Sequence, residues 1–488
     1  MPYGEQHRPQ FHFSPPAKWM NDPNGLVYYH GEYHLFYQYY PGNTVWGPMH
    51  WGHAVSKDLV HWDNLSVALY PDPLGYIFSG SAFIDGKNTS GLQTGKHPPM
   101  IAFYTHHDES RKKEGRKDYQ NQSLAYSKDM GRSFIKYKYN PVILNPGEED
   151  FRDPKVIWNE NLHIWILILT AGKKVKFYRS ANLLQWEYVC DFGSGTGEQG
   201  GVWECPDLFP VKSENGTKWV LVVSIVQGAP NGGSGTQYFI GDFDGRNFIN
   251  DNTDDTTLWL DYGPDNYAGV SWSDIPGEDG RRIFLGWMSN WNYAEKVPTD
   301  PWRGAMTIPR SLALKNTRNG LRLTAEPVKE LENLRRNKHN LEWNTDVVIQ
   351  LSGLNEIIMT ANLIKTTAED FGFIFFNRLD EKLVVGFNRL SNQFYIDRTG
   401  SGKTNFSFAF PGRFYAPRIT NDSGFKWHLF LDRASLEFFA DNGLVSMTEI
   451  FFPNENIDRV SFFQYKGKVK IQACTLYELK SIWQTDNT

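Results

Sequence analysis

Three stretches of this chain share one alternation of apolar runs and turn residues. Residues 25–29 are apolar, His30-Gly31-Glu32 is turn-forming, and residues 33–37 are apolar again, which predicts strand, tight turn, strand. The pattern returns as residues 155–158, a turn at Asn159-Glu160-Asn161 and the run 164–169. It appears a third time as Leu208-Phe209, a turn at residues 213–216 and the run 219–223. Each hairpin is preceded by an acid one or two positions ahead of a proline: Asp22-Pro23, Asp153-Pro154 and Glu204-Cys205-Pro206. Proline cannot donate to a ladder and suits the first residue of a strand, so each acid is expected at the lip of a sheet. Three carboxyl groups on equivalent lips predict one shared site.

A second repeat has the same phase. A polar turn closed by an aromatic occurs at residues 56–62, 127–134 and 180–186, with a weaker echo at 242–248. The spacing is wider than the ~40 to 50 residues of common propeller repeats, which fits irregular blades with long outer loops. Two further lips fit at Phe78-Ser79-Gly80 and Asp265-Asn266-Tyr267-Ala268. The prediction is an all-β chain whose first part is a five-bladed β-propeller, with the inner strand of each blade facing a channel.

That propeller is expected over residues 1–315. A linker with a short helix is expected over 316–340, because strand patterning gives way there to Glu326-Pro327 and leucines three apart at Leu331 and Leu334. Short apolar runs then return at 347–349, 357–359, 371–375, 383–385, 394–396, 428–431, 460–463 and 469–471, predicting a β-sandwich over 341–488. Its expected role is to brace the propeller, since no acids stand ahead of prolines there.

Bulk properties narrow the function. The chain has 488 residues, 22% charged and 40% hydrophobic, with a net charge of −5. That balance argues against a nucleic-acid partner, and no apolar run approaches the ~20 residues of a membrane helix. Cys190, Cys205 and Cys474 make neither a disulfide framework nor a metal-type spacing, so no metal and no cofactor are expected. His50, His53, His106 and His107 are read as packing residues. The opening residues lack signal-peptide features, so the protein is either cytoplasmic or has lost a leader. Acceptor triplets at Asn64, Asn88, Asn121, Asn215, Asn405 and Asn421 permit glycosylation in a secretory route.

Taken singly, the motifs have ordinary explanations. Asn21-Asp22-Pro23-Asn24-Gly25 is a common turn string, Arg152-Asp153 could be a surface ion pair, and Glu204 a satisfied buried acid. Their combination, at equivalent points of a repeat, makes that improbable. Residues 19–25 (WMNDPNG), 151–154 (FRDP) and 203–207 (WECPD) resemble the three signature blocks of glycoside hydrolase family 32, the invertases, levanases and inulinases. Residues 47–54 and 200–204 are similar to the levanase branch, and residues 432–437 resemble the family's C-terminal sandwich motif. The resemblance spans the chain and implies the propeller and sandwich that the repeats predict.

It also implies a retaining β-fructofuranosidase acting on sucrose or fructans, with two carboxyl groups ~5 to 5.5 Å apart across the scissile bond. Asp22 is then the nucleophile at C2 of a fructosyl unit, Glu204 the acid and later base, and Asp153 the transition-state stabiliser, helped by Arg152. Glu204 is expected to retain its proton, with two carboxylates nearby and Trp203 beside it. By the same resemblance Asn21, Gln38 and Ser79 bond sugar hydroxyls. Trp19, Met20, Trp46, Phe78, Tyr267 and Trp291 complete the pocket, and Trp46 and Trp291 stand in polar loop sequence. Sucrose, levan and inulin all stay open as donors, as does fructosyl transfer. A non-catalytic sugar-binding propeller is the alternative of another class. Residues 127–134 also approximate the turn of sialidase propellers, but the arginine cluster of that chemistry is not found.

Overall fold

The structure, a computed structural model, describes residues 3–214, 216–342 and 347–483; Asn215, one of the glycosylation acceptors, lies outside them. Among the described residues seven sheets account for the architecture, antiparallel but for one short parallel edge in the first. Five of them, of four or five strands each, form the propeller, and two six-stranded sheets form the sandwich.

The inner strands of the blades are Lys18–Tyr29, Tyr76–Ile84, Arg152–Asn159, Trp203–Ser213 and Tyr267–Ser271. Each lies against the next, and the fifth returns to the first, closing the ring. The closure is reinforced by Trp302–Arg303, which pairs in parallel with Lys18 and Trp19 of blade one. The tight turn at His30-Gly31 forms as predicted, with φ of 48° and 87°, the left-handed pair of a two-residue hairpin loop.

The repeated polar turn joins the third to the fourth strand of blades one to four. Its mechanics are the same each time. Ser56, Ser127 and Ser180 accept from the N–H two residues on, and the next polar side chain accepts from the amides that follow: Asp58 from Val60 and His61, Asn182 from Leu184 and Gln185. The chain reverses through a left-handed residue at the fourth position: Leu59, Met130, Leu183 and, in the weaker echo, Gly245. A glycine in the fourth copy is the low-strain choice for that conformation.

The prolines of the acid motifs do not open their strands. Pro23, Pro154 and Pro206 lie inside the inner strands, where the ladder slips by one residue. A bulge is the other place where a strand tolerates a residue without a donor. The same slip occurs in all five blades, always with two inner residues opposite one: Asn21 and Asp22 facing Gln38, Phe78 and Ser79 facing Thr105, Asp153 and Pro154 facing Leu169, Cys205 and Pro206 facing Val223, Ala268 and Gly269 facing Gly286. Asp153, Cys205 and Ala268 take positive φ there.

Residues 316–340, expected as a linker, are divided between the two halves. Gly320–Pro327 completes blade five by pairing with Arg310–Thr317. Lys329–Leu334 is a 3-10 turn, in which side chains three apart eclipse, so Leu331 and Leu334 are both buried. Arg335–Asn340 then pairs with Ile471–Leu479 in the sandwich. The sandwich core is aromatic, with Phe371, Phe373, Phe394, Trp427, Phe438 and Phe462 packed between the sheets.

Between propeller and sandwich lies a layer of fully buried charge. Arg310 of blade five reaches Asp261 at 2.7 Å and the sandwich residue Glu437 at 2.6 Å, and His12 bridges Asp432 and Glu437 at 2.8 and 2.9 Å. Burial alone would lower the His12 pKa, but the two carboxylates raise it to about 9. The motif at residues 432–437 thus builds the interface.

Candidate active site

The five bulges lie at one level of the ring and bring the three motif acids together at the channel. Asp22 comes from blade one, Asp153 from blade three and Glu204 from blade four. Asp22 accepts from Asn21 Nδ2 at 2.9 Å through one oxygen and from Ser79 Oγ at 2.7 Å through the other. Asn21 is itself fixed by the Trp19 indole N–H, at 2.7 Å. Asp153 accepts the Cys205 backbone N–H at 3.0 Å, and its own N–H is held by Thr105 Oγ1. The Cys205 thiol lies between the two aspartates, 3.5 Å from Asp22 and 3.7 Å from Asp153.

Glu204 is gripped from both sides. Arg152 donates to Oε1 through Nε and Nη2, at 3.2 and 2.8 Å, while the Tyr267 hydroxyl donates to Oε2. Arg152 is held in turn by Asp150, at 2.5 Å, and reaches Asp153 at 3.8 Å.

Burial pushes the Asp22 carboxyl up to about 6, with the nearby charge of Glu204 adding to the push. Burial likewise lifts Asp153 to about 7; Arg152 opposes that rise, while Glu204 and Asp22 reinforce it. The guanidinium, which the sequence cannot aim, makes its close bonds to Glu204 and lies farther from Asp153.

The other predicted site residues divide into two groups. Gln38 and Ser79 reach the cluster, Gln38 donating to the Ile77 carbonyl at 3.0 Å beside the bulge of blade two. Phe78 stacks face to face on His107, 4.2 Å away, and meets Trp46 edge-on at 6.0 Å. Trp291 stacks on Trp19 at 6.0 Å. Trp46 and Trp291, partly exposed, line a cavity of about 380 Å³ with Asn292, Tyr293, Glu295 and Lys296. Trp19, Met20 and Tyr267 are fully buried, so Trp19 and Met20 support the wall from behind, and Tyr267 meets the cluster only through its hydroxyl.

Sequence reasoning missed three contributors. Asp150 stands two residues before Arg152, a spacing that carries no chemical signature. Cys205 is visible inside its motif, but only as one of the chain's three cysteines. Thr105 lies on a neighbouring strand, and nothing local marks it. Among the described residues no group of His, Cys, Asp and Glu has the arrangement of a metal site.

Such a set of carboxyl groups, one among accepted hydrogen bonds, one beside an arginine and one between them, suits displacement at an acetal-type carbon. Known proteins agree. The glycosyl hydrolases family 32 N-terminal domain matches residues 12–327, and the family 32 C-terminal domain matches residues 330–478. The chain is 49% identical to a levanase of Bacillus subtilis over 99% of this chain and 72% of that protein. It is 38% identical to a levanase of Bacillus sp., covering 99% of this chain and 53% of that one. The extracellular exo-inulinase of Aspergillus niger is 36% identical, with 99% and 96% covered. Among solved structures, the exo-inulinase of Aspergillus awamori superposes with a TM-score of 0.91 at 33% identity, over 99% of this chain and 100% of the other. The β-fructofuranosidase of Schwanniomyces occidentalis, complexed with fructosyl-erythritol, gives 0.88 at 31%, over 99% of each. With both of its halves matched end to end, this chain belongs to glycoside hydrolase family 32.

Proposed function

We propose that the protein is a retaining β-fructofuranosidase that removes terminal β-D-fructofuranosyl units from fructans and sucrose, with levan ranked first among its donors. The observation that carries this reading is the carboxyl cluster itself, with acids from three blades aligned at one level of the channel by bulges. The preference for levan rests on the relative named a levanase at 49% identity. Action outside the cell is part of the proposal and draws on the relative named as extracellular.

In the first step the Asp22 carboxylate attacks C2 of the fructosyl unit. Glu204 gives its proton to the glycosidic oxygen, the C2–O bond breaks, and the alcohol departs. In the second step Glu204 takes a proton from water, whose oxygen attacks C2 and displaces Asp22 from the ester. Asp153 accepts from the sugar hydroxyls and steadies the positive charge that develops on the ring. No cofactor is needed.

The proton inventory suits this scheme. With burial raising Asp22 to about 6 and Asp153 to about 7, the cluster favours keeping a proton close to neutral pH. The working form needs that proton on Glu204 and none on Asp22. Sugar hydroxyls at Asp153 stabilise its anion, and the glycosidic oxygen gives a protonated Glu204 its acceptor.

Proton NMR of the first product checks the stereochemistry. Fructose should leave with the β configuration at C2, and release of the inverted anomer before mutarotation would refute the assignment.

A further inference from the structure

The fully buried cation Arg398 belongs to the sandwich, yet it is aimed at the propeller. It follows the strand Gln393–Asp397 and donates from Nη1 to Asp265 Oδ2 at 2.5 Å. The same guanidinium reaches the Tyr293 hydroxyl at 2.9 Å, and the backbone carbonyls of Phe410 at 2.7 Å and Ile450 at 3.0 Å. Tyr293 closes the loop by donating to the other Asp265 oxygen at 2.5 Å, and the Ile450 N–H adds a bond to Oδ2 at 2.9 Å. Asp265, Arg398 and Tyr293 are all buried.

Asp265 stands two residues ahead of Tyr267, whose hydroxyl donates to Glu204. The strand that carries Tyr267 is only five residues long, is broken by the bulge at Ala268 and Gly269, and is paired with its neighbour at Tyr267, Val270 and Ser271 alone. Its own ladder therefore fixes it weakly at the end where the phenol sits. The anchor at residue 265 supplies what the ladder lacks, and it is made by the other half of the protein. Tyr293 lies two residues beyond Trp291 in the loop that lines the 380 Å³ cavity, so one guanidinium ties down that loop as well as the segment leading to Tyr267.

We propose that Arg398 is a positioning residue for the reaction: by clamping Asp265 from the sandwich, it holds the Tyr267 hydroxyl on Glu204 and so aims the acid/base carboxyl at the leaving-group oxygen. This rests on the reading of Glu204 as acid and base. It assigns the sandwich a part in the chemistry beyond bracing.

The test compares kcat/KM, which reports formation of the ester on Asp22, for two donors, sucrose and β-D-fructofuranosyl fluoride. Sucrose needs its leaving oxygen protonated; fluoride departs with little help. Glu204→Gln is the reference and should slow sucrose by about 10² to 10⁴-fold more than the fluoride. Arg398→Met, confirmed folded by near-UV circular dichroism and its melting curve, should slow sucrose about tenfold or more and the fluoride less than about threefold. Arg398→Lys should recover part of the difference. Tyr293→Phe, nearly isosteric and checked for folding in the same way, removes one bond to Asp265 and one from Arg398 and should give the same split at about two- to fivefold.

Equal loss on both donors in the folded variants, or no loss, overturns the positioning role. If Arg398→Met does not fold, Tyr293→Phe decides alone. If Glu204→Gln itself shows no split, the acid/base reading of Glu204 has failed, and the proposal falls with it. A split in Glu204→Gln without one in Arg398→Met or Tyr293→Phe refutes only the clamp.

Discussion

Replacing Asp22 by Asn should abolish turnover and, at neutral pH, stabilise the fold. The amide is nearly isosteric but cannot form the ester, so activity falls to background. The stability change follows from the raised pKa. Burial moves Asp22 from 3.8 in a free chain to about 6. A carboxyl raised in the folded state adds stability when protonated and loses it as pH climbs from the lower value to the higher. About two units at 1.36 kcal/mol each make the ionised group cost about 3 kcal/mol at pH 7. The same linkage leaves about 1.6 kcal/mol at pH 5 and about 0.6 at pH 4.

Asn keeps the bond from Ser79 but turns its amide nitrogen toward that of Asn21, losing about 1 kcal/mol of hydrogen bonding. The net gain is about 2 kcal/mol at pH 7, and the sign reverses to about 0.5 kcal/mol of loss by pH 4. At ~2.1 cal/mol/K per residue over the propeller, residues 12–327, 2 kcal/mol raises the propeller midpoint by about 3 °C. Differential scanning calorimetry of both proteins at pH 4, 5 and 7 measures this directly. A variant destabilised at pH 7, or a gain that does not change with pH, would falsify the electrostatic account of the site.

Three further outcomes are expected. The kcat/KM profile for sucrose should be bell-shaped with limbs near pH 6 and pH 7, because Asp22 must be ionised and one proton must remain in the cluster; a flat profile from pH 5 to 8 contradicts this. Cys205→Ser places a stronger donor between the aspartates, favours their anions and should move the acid limb below 6; titration of the rate shows whether it does. Asp153→Asn should lower kcat by roughly 10² or more with little change in KM, since its contacts strengthen with charge on the ring, and steady-state kinetics separate the two.

Much of the fold was legible because its signals are local. Alternating runs gave the hairpins, and the Ser-x-Asp turns gave the blade period through bonds that close within a few residues. What misled was chemistry with two structural solutions. A proline without a donor suits a strand's first position or a bulge; Pro154 and Pro206 sit in bulges, and Pro23 directly follows one, in register with Tyr37. The strand Gly320–Pro327 was lost because only three consecutive positions, Leu323 to Ala325, are buried, and its other residues are half-buried or exposed. In the site, the acids were visible as sequence, but the direction of the Arg152 fork was not. That direction depends on Asp150, which holds the guanidinium from the other side, and on the packing of one blade against the next.

The carboxyl groups are spread over blades one, three and four, and no single sheet holds the constellation. Their separations are therefore set by how blades pack around the ring and by the seam where Trp302–Arg303 pairs with Lys18 and Trp19, immediately before Asn21 and Asp22. Catalysis is thus a gauge of ring closure. A cut, a mutation or mild denaturant that parts the seam would leave every blade folded and still silence the enzyme. Inactivation should run ahead of melting, and activity should report on the seam when spectroscopy still sees an intact protein.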